Sequence, residues 1–312
     1  YEMLRSLVGS EMWIRDRNYM VEVSAAKRNI TPLFPMYMRG YAMRTGKSIG
    51  VLDELYCRTL VLRIDGEIFI WSTLDLCRLE EPISDYARTV LAGKYSVPKE
   101  NIIIGTIHTH SGPDISFEDE GEDRNHRKAV YREYVMKQLF DAVDECFDRG
   151  FLEVTPYMVK GAIEGVYGNR NYRDKPSDKD INMILFRNEN HVVAGMFQFT
   201  CHPTVLGIHN MKISSDLLGN VGKALDEKYN SGADAQAFLV ESVSAVQTVK
   251  SFALEPKLEE KWGNLQAEYV KASYKTSMIA NVANNLSRFI QKNFDLLILF
   301  LGALEVMDGN FT

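Results

Sequence analysis

The sequence predicts an α/β fold, a layered domain with a mixed β-sheet flanked by helices. Three observations carry that expectation. β-rich runs and helix-patterned runs interleave along the whole chain. Asp65-Gly66 separates two β-rich runs, the strongest short-range hairpin signal a sequence offers. The run "IIIGTI" is bounded by Pro98 on one side and by the Gly112-Pro113 break on the other, as a buried strand is. With 312 residues, 46% hydrophobic and 25% charged, the chain has the composition of a soluble globular protein and can bury a sizeable core.

Taken in order, "MVEVSAAKRNITP" reads as a strand running into an Asn-Ile-Thr-Pro turn, and "RTLVLRIDGEIFIWSTLD" as the hairpin. A helix follows over residues 81–95, with Pro82 in its first turn, where a missing N–H costs little. After "IIIGTI", the stretch from His126 to Gly150 places Val130, Tyr134, Leu139, Val143 and Phe147 near helical spacing and ends on a glycine stop. "INMILFR" and "HVVAGMFQF" are strands around a polar turn. A helix over about residues 216–229, the strand "QAFLV" and a long helix over about residues 258–292 complete the pattern. No repeat, low-complexity tract or linker divides this region, so residues 18–312 read as a single domain, incomplete at its C-terminus.

Residues 1–17 read instead as a lead that is not part of the domain, of the kind a translated adapter leaves. They contain no signal-peptide h-region, so secretion is not indicated. Lys+Arg 36 against Asp+Glu 42 gives a net charge of −6 without a basic stripe, which argues against nucleic acid as a partner. The run "LLILFLGAL" falls short of the roughly 20 residues that span a bilayer, so it reads as a buried segment and no transmembrane segment is expected. Cys57, Cys77, Cys146 and Cys201 are far apart and form no CxxC pair, which argues against a disulfide framework and a cysteine zinc site.

The chemistry concentrates in histidines. In "NIIIGTIHTHSGPD", His108 and His110 stand two residues apart at the end of a strand, where side chains at i and i+2 share a face. Such a pair is either two legs of a metal site or two hydrogen-bonded polar side chains. "MFQFTCHPT" repeats the design with His202 at a second strand end followed by Pro203, and supplies a third leg. Three neutral imidazoles leave Zn2+ its full charge, enough to bring a bound water to a pKa of about 7 and to polarise a carbonyl. His126 reads as a solvated helix cap, His191 as surface, His209 as a loop residue near His202, and Cys201 as a packed thiol. A metallo-β-lactamase HxHxDH motif is absent, since Ser-Gly-Pro-Asp follows His110.

These motifs, in this order, resemble the N-terminal catalytic domain of the neutral/alkaline ceramidase family, especially its shorter bacterial members. The resemblance runs over about residues 21–239 and rests on "AAKRNITP", "RGYAMR", "GVLDELYCRTLVL", "STLDL", "PKENIIIGTIHTHSGPD", "GNRN", "MFQFTCHPT" and "ISSDLLG". "HTHSGPD" and "CHPT" are the specific ones. The resemblance implies a zinc amidase that hydrolyses the N-acyl bond of ceramide, with His108, His110 and His202 as zinc ligands and a lipid or smaller amide as substrate. It places Arg170 near the scissile amide as a candidate to stabilise the oxyanion. Asp75 and Asp216 match aspartates that support the site, and Asp114 stands where a carboxylate could orient an imidazole, or could equally serve a loop or a helix cap. In the family a distal Glu and Tyr complete the metal site.

The resemblance breaks after Val240. Where the family carries a Gly-Asp-x-Ser segment this chain has "ESVSAVQTV", with Gln247 in the serine's place and Ser242 and Ser244 out of register. A reading-frame change near Val240, or divergence, would produce this. The sequence therefore supports two functions: a zinc-dependent amide hydrolase, or a non-catalytic metal-binding fragment or pseudoenzyme of the same fold.

Overall fold

Which way each residue of two adjacent strands points sets the layering. In β1 (Val21–Asn29), Val21, Val23 and Ala25 turn to one face and Ala26 to the other. In β3 (Tyr56–Ile64), Leu60, Leu62 and Ile64 share the first face while Cys57 and Val61 share the second. Both faces are apolar, so the sheet must be covered on both sides. A computed structural model describes residues 19–162, 175–188, 191–223 and 256–274.

The central sheet has the order β5-β4-β3-β1-β6, where β4 is Glu67–Leu74, β5 Ile102–Thr106 and β6 Leu152–Glu153. All its pairs are antiparallel except β4 with β5. That parallel pair requires a crossover, and α1 (Glu81–Tyr95) supplies it, burying Ile83, Ala87 and Leu91 at i, i+4 and i+8. Between β3 and β4, Asp65 and Gly66 both have positive φ, 49° and 89°, which is the two-residue turn that matches strand twist. A mixed sheet with helices against it is the α/β fold the sequence predicts.

The second helix, α2 (Glu122–Arg149), packs Tyr131, Val135, Leu139, Ala142, Val143 and Cys146 against the Cys57/Val61 face. It starts a turn before His126, because Gly121 turns the chain at φ 95° and Glu122 and Asp123 then sit at the positive end of the helix dipole. The opposite face meets a three-stranded antiparallel sheet of order β7-β8-β9, with β7 Thr155–Ala162, β8 Asp180–Asn188 and β9 His191–Phe199. Phe186, Ile184, Val193, Ala194 and Met196 pack there against Val21, Val23 and Leu60. Strand β7 is not marked in the sequence because it contains Pro156 and Gly161; it tolerates the proline as an edge strand.

Two two-residue strands, β2 (Gly50–Val51) and β10 (Lys212–Ile213), pair in parallel as a separate small sheet and bring the chain that follows His202 beside the segment that leads into β3. Residues 216–223 and 256–274 are helical and overlap the two helices expected there, the second beginning two residues earlier than expected. No helix among the described residues is long and apolar enough to cross a membrane. The lead over 1–17, Arg170, the strand expected at 236–240, Ser242, Ser244, Gln247 and the apolar run at 296–304 lie outside the described residues.

Candidate metal centre

The imidazoles of His108 and His110 meet, but not by strand alternation. Strand β5 ends at Thr106, Ile107 still donates to the Leu74 carbonyl at 3.1 Å, and His108 then adopts φ 63°. That left-handed step costs a non-glycine residue about 1–2 kcal/mol and is the kind of local strain that persists at sites held by their surroundings. It turns the backbone so that Thr109 points into the protein, donating Oγ1–H to the Ser214 carbonyl at 2.8 Å, while the histidines on either side face one another. Their rings cross at 80° with centroids 4.9 Å apart. His202 likewise lies three residues beyond the end of β9 rather than on it.

The three rings form one cluster. His110 Nε2 is 3.3 Å from His108 Nε2 and 2.9 Å from His202 Nε2. The His202 ring crosses that of His110 at a centroid distance of 4.6 Å and stacks on that of His108 at 5.1 Å. Two nitrogens on one tetrahedral zinc, each about 2.0–2.1 Å from it, stand roughly 3.3 Å apart. His108 Nδ1 lies 2.7 Å from the Cys77 carbonyl oxygen, which can only accept, so Nδ1 carries the proton and Nε2 presents a lone pair. At these separations a facing pair of Nε2 atoms can share one proton as a hydrogen bond or, with that proton released, present lone pairs to a cation. The donor set fits Zn2+.

The supports of His110 come from "RGYAMR". Gly40 has φ 113°, and a Cβ there would stand 2.4 Å from His110 Cγ and 2.6 Å from Nδ1, so the imidazole needs bare backbone beneath it. The Tyr41 ring meets the His110 ring edge-on at 4.9 Å. Arg44 is 6% exposed and donates to three carbonyls, from Nη1 to His110 at 2.6 Å, from Nη2 to Gly207 at 3.1 Å and from Nε to Ile208 at 3.3 Å. One buried cation therefore ties the loop carrying His108 and His110 to the loop that follows His202. Sequence reasoning missed Gly40, Tyr41 and Arg44 as site residues; their only signal was that stretch's place among the resembling motifs.

Of the two roles the sequence leaves open to Asp114, its contacts are those of a loop carboxylate. Its Oδ1 accepts from the Ser116 amide at 3.0 Å, and its Oδ2 lies 3.4 Å from Arg124 and 3.7 Å from Arg39. Burial pushes this carboxyl up, yet the Ser116 hydrogen bonds, Arg39 and Lys128 together hold it below the usual carboxylate range. The orienting acceptor for His108 is instead the backbone of Cys77. Asp75 is fully buried against Arg58 Nη1 at 2.6 Å and the Tyr56 amide at 2.9 Å, and burial raises its carboxyl. Asp216, at φ 53°, accepts from the amides of Val205 and Leu206, both at 3.3 Å, and of Leu217 at 2.6 Å, which fixes the chain just after His202. His126, His191 and His209 are exposed.

Asp53 anchors the floor of this region. It accepts from the Ser214 hydroxyl, from the Ser215 amide at 3.0 Å and from Lys223 Nζ at 2.7 Å. Burial raises its carboxyl, but Lys223 and the two serines outweigh burial and leave it below its ordinary value. A folded-state value below the unfolded one, about 3.9, contributes stability that is present above that pH and lost as pH falls through the folded value. Asp53→Asn is therefore expected to flatten acid unfolding below about pH 4, followed by circular dichroism; an unchanged slope would show that Asp53 does not contribute.

Fold and site together define an α/β domain that carries a cluster of three imidazoles able to hold a metal. The structure is similar to that of neutral ceramidase from Pseudomonas aeruginosa, with a TM-score of 0.56 at 18% identity, over 66% of this chain and 35% of that one. It is equally similar to a ceramidase complexed with C2, with a TM-score of 0.56 at 18% identity, over 65% and 34% of the two chains. At such identity the likeness is one of fold.

The C-terminal part resembles something else. Residues 218–312 match the family described as ABC transporter transmembrane region. Over 90 residues the chain is 39% identical to the toxin RTX-I translocation ATP-binding protein of Actinobacillus pleuropneumoniae and 37% identical to the alpha-hemolysin translocation ATP-binding protein of Escherichia coli. Each match covers 29% of this chain, and the chain spans 13% of the length of these curated relatives. The stretch "ESVSAVQTV", where the ceramidase pattern breaks, falls inside the segment that matches the transporter family.

Proposed function

We propose that the ceramidase-like part of this chain is the metal-binding portion of a zinc-dependent amide hydrolase acting on a ceramide-like lipid amide or a smaller amide. The observation that carries this reading is the approach of the three imidazole Nε2 atoms from two separate loops. His108, His110 and His202 would hold the zinc, which supplies a Lewis acid and a water of lowered pKa. The Cys77 carbonyl keeps the proton on His108 Nδ1 and so leaves Nε2 for the metal. Arg44 sets the distance between the two histidine-bearing loops. Arg170 is assigned by resemblance to the developing oxyanion, and Asp114 to holding Arg39 and Arg124 beside the loop that follows His110.

Metal analysis of the purified chain, joined to an assay with a fluorogenic N-acyl sphingosine, tests the proposal. Zinc bound at one per chain is expected, with release that stops on chelation and returns with Zn2+. Bound zinc without release would favour the non-catalytic metal-binding reading, and an absence of bound zinc would overturn both.

The 39% identity over 90 residues favours a second reading for the rest of the chain. Residues 218–312 would then include part of the membrane-embedded region of an ATP-driven exporter, continuing from the helix whose Lys223 pairs with Asp53, and the apolar run at 296–304 would belong to a bilayer span. Recovery of a fusion carrying residues 218–312 in the membrane fraction would bear this out; full recovery in the soluble fraction without detergent would sink it.

A further inference from the structure

The central sheet ends on β5, and that edge is open. Strand β5 pairs with β4 on one side, and no other strand pairs with it among the described residues. The Ile107 amide donates to Leu74 of β4, so by alternation residues 103 and 105 also turn their backbone groups to β4, while Ile104 and Thr106 turn theirs outward. Edge strands commonly carry a lysine, a proline or a bulge that discourages further pairing. Ile-Ile-Ile-Gly-Thr has neither a charge nor a proline. The face beside the edge is apolar as well. Ile103 is 46% exposed and lies across from Trp71, which is 39% exposed, on the side of the sheet where Phe186 of β8 covers Leu60 and leaves these two open.

We propose that β5 pairs with β5 of a second copy of this chain about a two-fold axis. The axis makes the contact self-complementary and the two strands antiparallel, and the side chains set the register. Centred on Ile104, the seam places that residue opposite its own copy, as a pair that exchanges both backbone hydrogen bonds. It places Ile103 opposite Gly105 of the second copy, as the closer pair without hydrogen bonds. A Cβ built on Gly105 meets nothing within 4 Å, so the space over this glycine receives the exposed Ile103, twice over by symmetry. A seam of five residues is about 17 Å long. That is short for a stable interface, so the dimer exchanges with monomer at micromolar concentrations.

Sedimentation of the full chain, from low micromolar to a few hundred micromolar, tests the pairing without reference to metal or turnover. The expected result is a concentration-dependent shift from monomer to dimer that Ile103→Lys and Gly105→Val each weaken by about 10-fold or more. The first puts a charge on the seam, and the second fills the space that receives Ile103. Both side-chain positions are open in the single copy, so thermal unfolding at a concentration where the parent is monomeric should change little, which separates lost pairing from lost folding. A parent that stays monomeric at the highest concentration overturns the proposal, needs no variant to fold, and leaves the edge to a strand of another protein. A dimer that both variants leave intact overturns it too, because its contact then lies elsewhere.

Discussion

His110→Ala is expected to lower zinc affinity by more than about 100-fold, beyond the 10–100-fold that loss of an orienting partner costs, and to abolish any zinc-dependent hydrolysis. His110 is the one imidazole whose Nε2 faces both others, at 3.3 and 2.9 Å, so its loss leaves His108 and His202 without the group between them. It lies outside the apolar clusters that hold the sheets and helices together, so unfolding of the metal-free variant should change little. Competition with a chelator measures the first expectation and thermal unfolding of the metal-free proteins the second. Unchanged zinc affinity would remove His110 from the site.

Arg44→Ala should act on stability and on metal binding at once. The guanidinium satisfies three carbonyls in a nearly closed environment, two of them on the far side of the gap between the histidine loops. Hydrogen bonds to a charged donor contribute about 1.5–3 kcal/mol each, and water entering the vacated space recovers part of that, so a loss of about 3 kcal/mol is expected in urea unfolding. Zinc affinity should fall by roughly 10–100-fold, as for removal of a group that orients a ligand. Arg44→Lys should rescue neither fully, because one ammonium on a flexible stem does not reproduce three donors in a fixed fork. A variant as stable as the parent, with the same zinc affinity, would show that the loops hold their spacing without Arg44.

Local chemistry made several elements legible. The positive φ angles at Asp65 and Gly66 follow from residue types that tolerate them, and α1 runs over the residues its proline and apolar spacing mark. β8 and β9 stand around their polar turn as read from alternation and breakers. Strand β7 was hidden because its pairing, not its own composition, makes it a strand.

Sequence by itself determined that His108, His110 and His202 would follow strands and stand near breaks, because apolar β-branched runs and Gly-Pro punctuation are local properties. Only the tertiary structure decided that they meet, and how. The meeting depends on a left-handed backbone step at His108, on bare backbone at Gly40, on an arginine that reaches residues 66 and 163 positions further along the chain, and on a cysteine 31 residues upstream. None of these leaves a periodic or spacing signal, since each is a contact between segments that sequence distance does not relate.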